Sequence, residues 1–409
     1  MGAGTAQGGA CLLISGKERK NMEFVVFAGV LLLLFIFMIV QELIQTKNQE
    51  KLFKKYLREN YGKEPPKEYS LERFARLGSY LERHKEEKQL DDITWNDLGM
   101  DEVFRRIDRT YSAAGEEYLY YTLRNISCGR EALEHLEEVV NWLQEQENIK
   151  VRIQLLMKRL GHLGKYSLYD YLDNLDYLGE RSNRKIVLGN LLYLPFLLLL
   201  FVQPAMGTIG IVLCMLWHIM TYFREKKVIE PYIISFAYVL RLIDVCEELE
   251  KQKIPVYRRE LDELREALKS LRELRRGAYW VMAGNQGKIG GNPLDILADY
   301  LRMILHLDIF QFNRMLEKLR KKTGQVETML AITGYLDMAI SVGGFRKSLE
   351  GYCIPKLEED TEKAFLHMKK GWHPLLSQPV KNSIRADRGI LLTGSNASGK
   401  STLVSQLGL

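Results

Sequence analysis

Gly394-Ser395-Asn396-Ala397-Ser398-Gly399-Lys400-Ser401 is the stretch of this chain whose residue types and spacing prescribe a chemistry. It fits G-x-x-x-x-G-K-[ST] in full. The glycines let the backbone wrap so that successive N–H groups converge on phosphate oxygens. A helix starting near Gly399 would add its positive end. The Lys400 ammonium would reach the β- and γ-phosphates, and the Ser401 hydroxyl would bind Mg²⁺. With Thr402 closing the turn, Gly394 to Thr402 reads as a cradle for ATP and Mg²⁺. A plain Gly/Ser loop is the alternative.

The rest of such a site is harder to find. The run Arg388-Gly389-Ile390-Leu391-Leu392-Thr393-Gly394 reads as a buried parallel strand leading into the loop. Hydrolysis also needs a second strand ending in a metal-binding Asp and a residue that positions water. The eight residues after Ser401 hold neither. The expectation is therefore a C-terminally truncated P-loop domain that binds nucleotide but, as it stands, does not hydrolyse it.

Three apolar runs must be placed around this loop. Phe24 to Val40 holds 17 residues without a charge, about 25 Å of helix, the short end of a bilayer span. Leu43 and Ile44 extend it to residue 44. No small-residue cleavage site follows, so a retained anchor is preferred to a signal peptide. Ile186 to Val202 and Ala205 to Phe223 are separated by Gln203-Pro204 and read as a helical hairpin. The other reading is a buried hairpin in a soluble domain. Arg181, Arg184 and Lys185 flank it on one side and Arg224, Lys226 and Lys227 on the other. Both ends are thus expected in the cytoplasm. Lys17, Arg19 and Lys20 oppose the outward N-terminus that this implies, and Met22 is an alternative start. His218 inside the third run is a relay or a packing residue.

The intervening chain is helical in pattern. Leu71 to Gln89 alternates apolar and charged residues at helix spacing. Arg130 to Leu160 reads as one long amphipathic helix, and Pro293 to Lys322 as another. Leu261, Leu264, Leu268 and Leu271 line one helix face; its basic side is a solvated face or a contact for DNA phosphates. Gly284 to Pro293 reads as a turn. Net charge is +6, from 58 Lys+Arg and 52 Asp+Glu. That permits contact with nucleic acid or anionic lipid and requires neither. The five cysteines form no C-x-x-C pair, so neither a zinc site nor a disulfide framework is indicated.

Four stretches in order resemble the MutS family of DNA mismatch-repair ATPases. Thr393 to Thr402 is similar to the family's phosphate loop, with Asn396, Gly399, Lys400, Ser401 and Thr402 matching and Ser395, Ala397 and Ser398 departing. Thr110, Gly115 and Leu119 resemble the opening of its helical core. Leu336, Asp337 and Ser341 resemble a late core helix. Trp372-His373-Pro374 resembles the stretch that opens the ATPase domain, with Trp372 in place of Arg. The resemblance implies that Trp372 and His373 lie near the adenine, with plain packing as the alternative. It also implies a homodimer closing through the ATPase domains, with DNA as client. The family's mismatch-reading domain has no room here; Phe223-Arg224-Glu225 matches its wedge motif only by letters.

The fold expected is mainly α, transmembrane helices plus a MutS-like helical core and lever, followed by the start of an α/β P-loop (ABC-type) ATPase domain. The divisions are an N-terminal tail (1–23), a transmembrane helix (24–44), a cytoplasmic helical region (45–185), a transmembrane hairpin (186–223), a helical lever (224–366) and the opened ATPase domain (367–409). The function expected is a membrane-tethered ATP-binding switch in a bacterial cell membrane, multi-pass, with most of the chain cytoplasmic. The alternatives are an ABC-type transporter subunit and a non-enzymatic membrane scaffold.

Overall fold

The structure, a computed structural model, describes residues 37–409 apart from 39, 42–43, 65–68, 87, 127–128, 164–165, 276–292, 359–364, 377 and 396–397. The tail 1–23, most of the anchor 24–44, the Pro65-Pro66 break and nearly all of the glycine-rich turn 284–293 thus lie outside the described residues. The chain divides into two units, Met1–Asn60 and Tyr61–Leu409. In the first, residues 44–60 are helical.

The second unit contains α1 (Leu71–Arg83), α2 (Asp92–Asp97), α3 (Met100–Ile107), α4 (Ala113–Arg124), α5 (Arg130–Glu145), α6 (Glu147–Leu160) and α7 (Leu168–Asp173). Then come α8 (Arg184–Leu191), α9 (Tyr193–Val202), α10 (Pro204–Glu250), α11 (Arg258–Leu271), α12 (Pro293–Leu305), α13 (Leu307–Arg320) and α14 (Thr323–Ser348). Two strands, β1 (Leu366–Gly371) and β2 (Asn382–Ala386), precede α15 (Lys400–Gly408). The molecule is mainly helical, at 73% helix.

Helix α14 is the axis of the core. It packs on α4, α5, α6 and α11, and α1 covers the other side of α4. Its buried face, including Met329, Leu336 and Ile340, joins Val139, Leu143, Ile153, Met157, Phe236 and Phe312 in one cluster. Leu261, Leu264, Leu268 and Leu271 point into that cluster, so their spacing marks a core face. At the α4–α14 crossing Gly115 is required: a Cβ there would lie 2.4 Å from Asp337 Oδ2.

Two helices read as continuous are broken. Arg130 to Leu160 bends at Gln146 (φ −95, ψ 65) into α5 and α6. No proline or glycine marks the bend. Both halves bury their apolar faces in the same cluster, and a straight rod could bring only one of them there. Pro293 to Lys322 breaks at His306, which takes the left-handed conformation (φ 55) between α12 and α13. Conversely, no break in the helix falls at residue 223. The third apolar run and the helix after it form α10, one helix of 47 residues that carries Pro231 inside it. At 1.5 Å per residue it is about 70 Å long.

Three described helical stretches are long and apolar enough to cross a membrane: Arg184–Val202 (α8 with α9), Pro204–Glu250 (α10) and Thr323–Ser348 (α14). Burial separates them. Of the most apolar window, 72% is buried in α14, against 6% in α8–α9 and 22% in α10. Helix α14 is apolar because it is the core. The α9–α10 hairpin is apolar and bare: Phe201 is 89% exposed, Met220 73% and Leu213 61%. Pro195 sits in the first turn of α9, where its missing N–H costs no helical bond. Pro204 opens α10 in the same way.

The expected parallel strand at 388–394 is absent. These residues have no ladder partner among the described residues, and Ile390 and Leu391 are 52% and 89% exposed. A strand exists only through its neighbour's hydrogen bonds. The two strands present form an antiparallel hairpin, with Leu366 opposite Ala386 and Met368 opposite Ile384. An α/β P-loop domain is therefore not seen.

Candidate nucleotide-phosphate site

The loop begins where the exposed 389–393 segment ends and finishes at the first turn of α15. Gly399 caps this helix in the left-handed conformation (φ 84, ψ 13), which glycine adopts without the clash a Cβ brings. Leu403 N donates to Gly399 O at 3.0 Å, closing the first helical turn. Ser398 N donates to Ser395 O at 3.3 Å. The Lys400 ammonium folds back over the loop, donating to Gly394 O at 2.6 Å and to Ser395 O. The structure thus places a cation at the loop mouth and the start of a helix beneath it. Asn396 and Ala397 lie outside the described residues. Ser401 and Thr402 are exposed.

Lys400 and Ser401 are the described loop residues that a triphosphate and its metal would meet. The Lys400 ammonium rests on neutral carbonyls that a phosphate would outcompete. Magnesium keeps several waters and is otherwise held by carboxylates and substrate phosphates; from this loop the Ser401 hydroxyl would be its donor. Among the described residues no group of three or more His, Cys, Asp or Glu could hold a metal by itself.

The hairpin is the platform of α15. Gln406 donates to Met368 Sδ at 3.6 Å and its carbonyl lies 3.4 Å from Asn382 Nδ2. Trp372 and His373 follow β1 directly. Burial holds the His373 imidazole below its ordinary pKa range. Its Nδ1 lies 3.3 Å from Leu375 N, and Lys381 Nζ lies 5.2 Å from the centre of the Trp372 ring. Both residues are therefore engaged locally. Sequence reading missed Met368 and Gln406; no spacing rule marks a thioether and an amide that meet only in the fold.

Farther back, residues distant in sequence converge at the start of α4. Asp337 on α14 accepts from Tyr111 N at 3.0 Å, Ser112 N at 2.8 Å and Ser112 Oγ at 2.6 Å. Ser341 Oγ donates to Ile107 O at 2.8 Å and accepts from Arg109 N at 2.7 Å. Thr110 donates through its amide and hydroxyl to Asp108 Oδ1, at 2.9 and 2.6 Å. The structure brings together Thr110, Gly115, Asp337 and Ser341. Beside them the fully buried Glu116 carboxylate is held by Arg73 Nε at 2.6 Å and Arg76 Nη2 at 2.7 Å. The arginines went unnoticed in the sequence, where an amphipathic helix disguises inward-facing charges.

No family model matches the chain, and no solved structure matches it. A stretch of 103 residues is 28% identical to the probable DNA mismatch repair protein Msh6 of Drosophila melanogaster. It covers 24% of this chain and 9% of that protein. This chain therefore spans only a small part of the relative's length, and what the comparison supports is at most a MutS-related ancestry for part of it.

Proposed function

We propose that the chain is a membrane-tethered, MutS-like ATP-binding protein in which nucleotide held at Gly394 to Thr402 drives a dimeric switch acting on DNA. The observation that carries this reading is the Lys400 ammonium seated over the Gly394 and Ser395 carbonyls, at the start of a helix capped by a left-handed Gly399. ATP with Mg²⁺ is the ligand, and Ser401 is the metal's protein donor. Trp372 and His373 would flank the base. The α9–α10 hairpin, together with the apolar run at 24–44, is the anchor in a bacterial membrane. Basic residues on both hairpin flanks favour a cytoplasmic core. Helix α10 joins the hairpin to the core without a break, so movement of one is delivered to the other. The part likeness to Msh6 and the Asp337 junction support the MutS-like core, and DNA and self-association through the ATPase domains follow from it.

Calorimetric titration of Mg·ATP into the purified chain tests the reading. Saturable binding that Lys400→Ala weakens at least tenfold is expected; equal binding by both would overturn it. A scaffold that binds no nucleotide is favoured by the exposure of Ile390 and Leu391. Absence of any heat of binding would establish that alternative.

A further inference from the structure

Where the hairpin meets the core, a cavity of about 400 Å³ opens between α8, the middle of α10 (Trp217 to Glu225) and the α12–α13 corner. That volume suits a small polar group. Arg181, Lys185, Arg224, Glu180, Glu225 and His306 contribute to its lining. Arg181 is already committed: it pairs with Glu225, and its Nε donates to Asn313 Oδ1 at 3.1 Å. Asn313 Nδ2 in turn donates to Asn183 Oδ1 at 2.9 Å. This latch fixes the cavity's shape. Among the described residues Lys185 and Arg224 have no ion-pair partner, and Glu180 is the one lining carboxylate left without a cation. Two cations therefore face one anion.

His306 is 6% exposed and left-handed at the corner, with the Ile304 carbonyl as a hydrogen-bonding neighbour of its ring. Its Nε2 lies 3.3 Å from Thr221 Oγ1. Beside the cavity the surface turns apolar: Leu188 is 65% exposed and Trp217 48%. Charge in a pocket with bare hydrocarbon next to it is the pattern of an amphiphile.

We propose that this cavity seats the phosphate of an anionic lipid, with Lys185 and Arg224 as counter-charges and the acyl chains against Leu188 and Trp217. The site rests on the membrane reading of the hairpin. A free phosphate ester has the same chemistry at its head and lacks the chains.

The test uses the full chain in detergent, titrated with phosphatidylglycerol, phosphatidylcholine or glycerol 1-phosphate and read by native mass spectrometry. Phosphatidylglycerol should bind at least tenfold more tightly than either. Lys185→Gln with Arg224→Gln should weaken it by roughly fivefold per cation removed, whereas Lys51→Gln with Lys54→Gln, on the helix at 44–60, should not. Unchanged preference in the Lys185/Arg224 variant overturns the site, as does equal binding of glycerol 1-phosphate. Alkaline carbonate extraction separates the failures. Release from membranes would sink the tether and this site together; retention with unchanged lipid preference would sink the site alone.

Discussion

Asp337 accepts from two backbone amides and one hydroxyl at the head of α4. Hydrogen bonds to a charged group are worth about 1.5–3 kcal/mol each. Asp337→Asn turns an amide toward these donors and should lower the melting temperature by several degrees, with Asp337→Ala lower still. Glu117 gives a pH signature. Burial pushes its carboxyl from 4.5 up to about 8, although Ser167 Oγ donates to it at 2.9 Å. Between these values the folded chain keeps a proton that the unfolded chain has released, so this group makes stability fall as pH rises from about 4.5 to 8. Glu117→Gln should remove that slope. Its melting temperature should gain on the parent's as pH climbs; parallel curves would show that Glu117 ionises normally. At this scale the phosphate loop was legible because its chemistry is local: one turn of backbone, one ammonium, one hydroxyl. Glu116, Glu117 and their arginines were not, because a charge reads as exposed until the fold surrounds it.

Helices were recognisable by period, and their ends less so. Gln146 and His306 break helices without a proline or glycine, because the surrounding core needs both halves. Pro231 does the reverse, sitting inside α10 without ending it. Replacing it with alanine restores a bond to the Lys227 carbonyl and removes a steric clash, so Pro231→Ala should raise the melting temperature. A lower one would mean that a bend at Pro231 is needed for packing. The hairpin's close approach depends on Gly207, where a Cβ would fall 2.6 Å from Leu200 N. Gly207→Ile should force α9 from α10, seen as faster proteolysis between residues 186 and 223. The strand expected at 388–394 failed for a related reason: sheet structure belongs to pairs of segments, and one segment's composition cannot reveal whether a partner is present.

For the whole molecule, the apolar surface of α8 to α10 is what the membrane proposal rests on. Phe201, Val202, Leu213 and Met220 lie bare on the described surface, the kind of patch that marks a membrane or protein interface. The chain should resist carbonate extraction. Leu198→Asp with Leu213→Asp, each costing about 2.5–3.5 kcal/mol on insertion, should release it or cause it to aggregate. A 47-residue helix, α10, runs from the apolar hairpin into the core. The central claim, that amides around Gly394 to Thr402 grip a triphosphate, is tested most directly by hydrogen exchange of the membrane-reconstituted chain with and without Mg·ATP. Slowed exchange in peptides covering residues 394–403, lost in Lys400→Ala, is the predicted result. Identical exchange with saturating Mg·ATP would contradict it.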